Sequence, residues 1–194
     1  MLSKKDEPDT AAKILSAAVT LISQAGYANV SMRDIAKRAG VALSHLNYYY
    51  ENKEGLFLAV IKNVKESYLK ELTLRLSAPS PEEKNNSFLF AHAKESMRNT
   101  TYIFRLLLDL SNLALWSEPF RKEFNSLIDD VAEVLAAYES SDMREASKQT
   151  AHRLRQKARF FLAINLGISA QYLADAENRD DTLEIFDFIG SAMK

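Results

Sequence analysis

No cysteine occurs among the 194 residues, which excludes both a disulfide framework and a thiolate metal site. Glycine and proline are scarce as well, five and four respectively, so few points exist at which a helix must stop. Strand signals are thin: there is no Asn-Gly or Asp-Gly dipeptide and no sustained alternation rich in β-branched residues. No apolar run reaches membrane-spanning length. The opening MLSKKDEPD is polar where a signal peptide would be apolar, so a soluble, cytoplasmic chain without a membrane partner is expected. Neither sign of charge dominates, the formal net charge being −1, and the chain is not of the uniformly basic kind that coats nucleic acid. A phosphate-cradling glycine loop, an H-E-x-x-H pair and a Gly-x-Ser-x-Gly elbow are all missing. His92 and His152 have no partner at metal-ligand spacing. Neither catalysis nor a cofactor or metal is therefore expected.

What is present is helix-forming sequence, 47% of it apolar, enough to bury a core. Residues 31–56, SMRDIAKRAGVALSHLNYYYENKEGL, read as two short helices joined by a tight turn. Ser31 suits the N-cap of the first. Ile35 begins an apolar row, Ala36 is small enough for a close crossing, and Gly40 after Ala39 can take the left-handed conformation that ends a helix. In the second helix Ala42, Leu46, Tyr49 and Tyr50 share one face, while Leu43, Ser44, Asn47 and Tyr48 share the other. One face packs and the other is free, which is the requirement for a helix that enters the major groove. Before this pair, residues 10–27 place Ile14, Leu15, Ala18, Leu21, Ile22 and Ala25 along one side of a helix closed by Gly26. After it, Asn52, Lys53 and Glu54 lead into an apolar helix with Leu56, Phe57, Val60 and Val64. Charge is distributed to match: Arg33, Lys37, Arg38 and Lys53 stand against Asp34 and Glu51 in residues 31–53, whereas the chain after Gly55 carries 18 basic and 20 acidic groups.

These residues resemble the TetR family of bacterial transcriptional repressors. The resemblance rests on Ile14 and Leu15, Ala17 and Ala18, Gly26 and Tyr27, Ser31, Ile35 and Ala36, Ala39 to Val41, Leu46, Tyr48 to Tyr50, Lys53 and Glu54, and Leu56, in unbroken register over the first third of the chain. Departures fall on the reading helix. Ser44 stands where the family has Gly, Ala or Pro, and Asn47 where it has a phosphate-touching Tyr. Tyr49 replaces a frequent His, and Tyr50 a frequent Phe. The fold implied is all-α: an N-terminal three-helix helix–turn–helix DNA-binding domain over residues 8–68, and a larger helical ligand-binding and dimerisation domain over residues 69–194. The function implied is a dimeric repressor of double-stranded DNA with a palindromic operator, released by a small effector. A helical adaptor that binds only proteins is the alternative, and it leaves the free face of the second helix without a purpose.

Chemistry assigns the contacts within that frame. Arg33 can clasp guanine through two acceptors, and Leu43 can touch a thymine methyl. Ser31, Asn47, Tyr48 and Lys53 are expected on phosphates, with Asn47 alternatively reading adenine. Ser44 and His45 border the bases, and Tyr49 packs or meets the backbone. Beyond residue 77, Ala78 to Pro81 mark a stop, and Pro81, Glu82 and Glu83 open a helix to about residue 97. Residues 100–116 form a core helix in which Arg105 and Asp109 can pair. Glu118 and Pro119 open another to Tyr138, and Glu139 to Asp142 make a polar joint. A long helix follows from Arg144 to Ala174, and a last one is capped by Asp180 or Asp181. By resemblance, Phe88, His92, Tyr102, Phe104, Trp116, Phe120 and Phe124 are expected around an apolar or aromatic effector. The last two helices, with Phe160, Phe161, Ile164, Ile168, Tyr172, Phe186 and Ile189, are expected to meet a second copy as a four-helix bundle, Gly167 permitting close approach. The alternative is that both helices complete the subunit's own core. Arg153, Arg155, Lys157 and Arg159 read as a solvated face or as pairs between subunits.

Overall fold

The computed structural model describes residues 7–77, 86–139 and 147–192. The chain divides into two compact units, Met1–Val64 and Lys65–Lys194, and among the described residues every regular element is helical.

In the first unit α1 (Glu7–Ala25) buries Ile14, Ala18 and Ile22, successive turns of one face. It ends at Gly26, φ +82°, whose N–H donates to the Ile22 carbonyl at 2.8 Å. A 3-10 turn (Tyr27–Asn29) leads to α2 (Met32–Ala39). Ser31 caps α2: its Oγ accepts the Asp34 N–H at 3.2 Å while the Asp34 carboxylate accepts the Ser31 N–H at 3.0 Å, satisfying two otherwise orphaned donors. Gly40 closes the helix at φ +66°. Its N–H reaches the Lys37 carbonyl at 3.3 Å and the Val41 N–H reaches Ala36 at 3.0 Å, the paired bonds of a Schellman turn. The chain then enters α3 (Leu43–Tyr49). Ala42 is the N-cap of α3 and exposed, not a member of its packed face as the periodicity implied, because α3 starts one residue later. Leu46 is fully buried. Next comes α4 (Lys53–Leu76), opened by Asn52, whose Oδ1 accepts the Gly55 N–H at 2.8 Å. Residues 53–64 of α4 complete the first unit by burying Leu56, Phe57 and Val60.

The second unit contains the rest of α4 with α5 (Asn86–Asn99), α6 (Thr101–Leu113), α7 (Glu118–Tyr138), α8 (Lys148–Ala174) and α9 (Arg179–Ala192). The expected helix start at Pro81, the joint from Ser140 to Asp142 and the start at Arg144 lie outside the described residues. As described, α8 begins behind Ser147, whose Oγ accepts the Thr150 N–H at 3.1 Å. The helix expected over residues 100–116 closes at Leu113. There Arg121 donates to the carbonyls of Ala114 and Leu115 at 3.2 and 3.3 Å, satisfying groups that continued helix would otherwise have used. Neither Asp180 nor Asp181 caps α9. Both stand inside its first turn, where their charge complements the helix dipole.

One apolar core joins these helices, with Leu72, Phe90, Met97, Phe104, Val131, Leu154, Phe161, Leu183 and Phe186 among its buried members. α5 and α9 cross closely because Gly190 has no side chain: a Cβ there would lie 3.2 Å from Ser87 Cα. The crossing is tied by Ser87 Oγ donating to the Gly190 carbonyl at 2.7 Å and by a Lys94–Asp187 ion pair at 2.5 Å. An alanine in a helix interior ordinarily gains about 1 kcal/mol over glycine. At Gly190 the overpacking term of about 1–3 kcal/mol is expected to outweigh that gain, so Gly190→Ala should lower the urea midpoint without changing the slope. A raised midpoint would show that the crossing opens freely.

Candidate nucleic-acid interface

Packing divides α3 into an inner and an outer face. Leu46 faces inward at 0% exposure, and Ser44, His45, Asn47 and Tyr48 face outward, Tyr48 at 76%. Leu43 and Tyr49 are half-buried at the margins, and the Tyr48 and Tyr49 rings meet edge-on at 5.4 Å. The outer face therefore offers a hydroxyl, an imidazole, an amide and a phenol, groups that both donate and accept. Arg33 and Lys37 are exposed on α2 at i, i+4, hence on one side of it. Lys37 was absent from the expected contacts, although its spacing from Arg33 is visible in the sequence.

Two expected phosphate contacts are engaged within the unit. Ser31 Oγ lies 2.5 Å from Asp34 Oδ2 and also accepts the Asp34 N–H, so its single hydroxyl proton is spent on the cap. The same bonds from Ser31 hold the Asp34 carboxyl below its ordinary range, with Lys37 adding a smaller effect. Lys53 Nζ stands 4.4 Å over the Tyr27 ring and donates to the Ala28 carbonyl at 3.4 Å, a bracing position. Tyr27 in turn packs on Phe57, ring centroids 4.7 Å apart. Burial, and then the Glu54 charge, push its phenol up.

The residues expected around an effector are not all brought together. Phe104 is buried in the core of the second unit, edge-on to Tyr68 at 6.4 Å, and Phe88 and Phe124 pack against that core. Phe120 is also buried. His92 is buried, within 3.2 Å of Ser96 Oγ, and burial, reinforced by Arg75, holds its imidazole below the usual value. Trp116, by contrast, is 82% exposed and Tyr102 41%. Trp116 cannot line an interior cavity, since Arg121 fixes the α6–α7 corner with that side chain outward. Among the described residues no cluster suited to a metal ion occurs.

The expected interface residues need correction. Phe161, Ile168, Tyr172 and Phe186 are buried within the subunit itself, because they form the inner stripe of α8 and α9. Ile164 and Ile189 pack partly against the same core. Of the seven, Phe160 is the one classed as exposed. The outer face of α8 continues from it through Ala163, Gly167, Ala170 and Ala174, all exposed, and α9 adds Phe188 at 72%. The basic run also finds partners in its own subunit: Arg155 pairs with Asp129 at 2.8 Å, and Arg153 and Lys157 both pair with Glu139.

Two short helices around a Schellman turn, the second buried through one leucine and polar outside, define a helix–turn–helix protein. Residues 14–60 match the model described as bacterial regulatory proteins, tetR family. Over those residues the chain is similar to the DNA-binding region of tetR-family regulators. It is 35% identical over 77 residues to the probable HTH-type transcriptional regulator YttP of Bacillus subtilis, covering 40% of this chain and 37% of that protein. It is 28% identical over 130 residues to the HTH-type transcriptional regulator RutR of Escherichia coli O157:H7, covering 66% of this chain and 61% of RutR. The chain thus spans less than two thirds of either relative. A solved TetR transcription regulator from Haloarcula marismortui shares the fold at a TM-score of 0.73 and 20% identity, covering 96% of this chain and 98% of that one. Among the described residues no helix is long and apolar enough to cross a membrane.

Proposed function

We propose that the chain is a dimeric, sequence-specific repressor that binds a palindromic operator and is released by a small apolar or aromatic effector. The observation that carries this reading is the outer face of α3, four polar or aromatic side chains exposed around one buried leucine. Each subunit sets α3 in a major groove, the two grooves about 34–36 Å apart. Arg33 reads guanine, Leu43 meets a thymine methyl, Ser44 and His45 border the bases, and Asn47 and Tyr48 hold phosphates, with Lys37 added beside Arg33. Ser31 and Lys53 support the surface from behind. Tyr49 steadies Tyr48.

The second copy docks on the outer face of α8. Phe160, Ala163, Gly167, Ala170 and Ala174 recur at helical spacing and are small after the first, and a Cβ added at Gly167 would meet nothing within 4 Å. Such a face suits close approach of another helix. The effector is held among the aromatic residues of the second unit, Phe88, Phe104, Phe120 and Phe124, with His92 as a polar neighbour. It acts only through its difference in affinity between the two arrangements of the reading heads.

A gel shift on genomic fragments at low and moderate salt tests the reading. A retarded inverted-repeat fragment whose affinity falls steeply with salt is expected, and absence of any selected fragment refutes it. Arg33→Ala is expected to cost about 1–3 kcal/mol on the operator and to relax base preference at one position per half-site, measured by titrating base-substituted duplexes. An equal loss on operator and random duplex would remove Arg33 from base reading.

A further inference from the structure

Among the described residues outside the reading head, Lys65 is a largely buried cation that meets two carboxylates. It is the first residue of the second unit and lies on α4, the helix that continues from the reading head. Its side chain is 12% exposed, and Nζ stands 2.6 Å from Glu123 Oε1 and 2.8 Å from Asp130 Oδ2. The third partner, Ser126 Oγ, is 3.2 Å away. Nζ thus donates a hydrogen bond to the hydroxyl and forms ion pairs with the two carboxylates. Every partner is on α7, at positions i, i+3 and i+7 of one helical face. Burial by itself lowers the Lys65 ammonium, yet hydrogen bonds and charge from the two carboxylates leave it above its ordinary value.

Stability alone is a poor reason for this arrangement, because apolar side chains of similar volume would hold two helices at least as well as buried charges. What charges add is register. Lys65 is held between carboxylates two turns apart on α7, so displacing α4 along α7 by one turn, about 5.4 Å, must break a contact that an apolar surface would simply exchange. The two arms also differ in access. Glu123 is 8% exposed and Asp130 34%, so water can replace the second carboxylate and not the first.

We propose that Lys65, gripped by Glu123, Ser126 and Asp130, is a positioning residue that sets the register of α4 for operator binding, with Glu123 as its fixed arm and Asp130 as the arm that lets go. This rests on the reading of the chain as an operator-binding dimer. α4 is common to both units, so a change in how its second half is held alters what the first half presents. Random duplex, bound through phosphates alone, is insensitive to that change.

The test uses full-length protein and a duplex selected by the wild type from a random pool. Asp130→Asn is expected to weaken the selected duplex about tenfold, within the range of coupling between distant sites, while leaving random-duplex affinity and the thermal midpoint unchanged. Asp130→Glu restores the selected-duplex affinity. Glu123→Gln lowers the midpoint, because it removes the inner partner of a buried ammonium. An unchanged ratio of selected to random affinity in Asp130→Asn overturns the proposal, as does a loss shared by both duplexes together with a lowered midpoint. Should the wild type select no duplex, the functional reading fails separately. Amide exchange then judges the grip: Asp130→Asn must speed exchange in residues 65–76 and not in α8, and uniform protection overturns it.

Discussion

Gly167→Glu is expected to yield a monomer that holds its operator about 10²–10⁴-fold more weakly than the parent chain, the factor that bivalence adds to two modest binding sites. The side chain enters open space in the single subunit, where nothing lies within 4 Å of an added Cβ. Removing glycine from the interior of α8 also favours the helix by up to about 1 kcal/mol. Subunit stability should therefore hold or rise. The charge falls at the centre of the outer stripe from Phe160 to Ala174, where a facing helix would have to bury it unpaired. Sedimentation of the variant, combined with titration of a full operator and of a half-site, separates the effects. Half-site affinity should be unchanged while the advantage of the full site disappears. A variant that still sediments as a dimer would show that the outer face of α8 is not where copies meet.

Leu46→Ala should strongly destabilise the first unit, costing about 2–5 kcal/mol. Leu46 is fully buried and is the buried residue of α3, and that seven-residue helix is too short to persist on its own. In a unit of this size each kcal/mol moves the melting temperature by about 4–8 °C, so a fall of about 10 °C or more is expected in the transition that reports residues 7–64. Asn47→Ala, one residue along and exposed, should stay within about 0.5 kcal/mol of the parent while weakening DNA binding. Circular dichroism melts beside a binding titration check both. Equal destabilisation by the two substitutions would mean that α3 is not divided into an inner and an outer face.

Where structure is set by near neighbours in sequence, the sequence was readable. Ser31 and Asp34 close a cap three residues apart, Gly40 ends a helix by its own conformational freedom, and Glu118-Pro119 opens α7 at the expected residue. Of the outward set expected on α3, Ser44, Asn47 and Tyr48 are exposed, while Leu43 is half-buried and His45 takes its place. Periodicity failed on α8 because it groups residues on a face and is silent on what covers that face. The bulkier stripe, Phe161, Ile168 and Tyr172, looked like an interface and is the subunit's own core. Gly167 was singled out for close approach, but the alanines that share its exposed face, Ala163, Ala170 and Ala174, were not. Trp116 was misjudged because its outward pose depends on where the Arg121 guanidinium lands. The grip on Lys65 joins residues 58 and 65 positions apart in the chain, beyond the reach of any local pattern.

The division of α3 also bears on how this protein can change over generations. Ser44, His45, Asn47 and Tyr48 carry almost none of the weight of the fold, so they can be exchanged one at a time without loss of a folded subunit. New binding sites in a genome are then reachable by stepwise drift through viable intermediates, so long as Leu46 is kept. A library randomised at those four codons should be rich in well-folded members with altered targets.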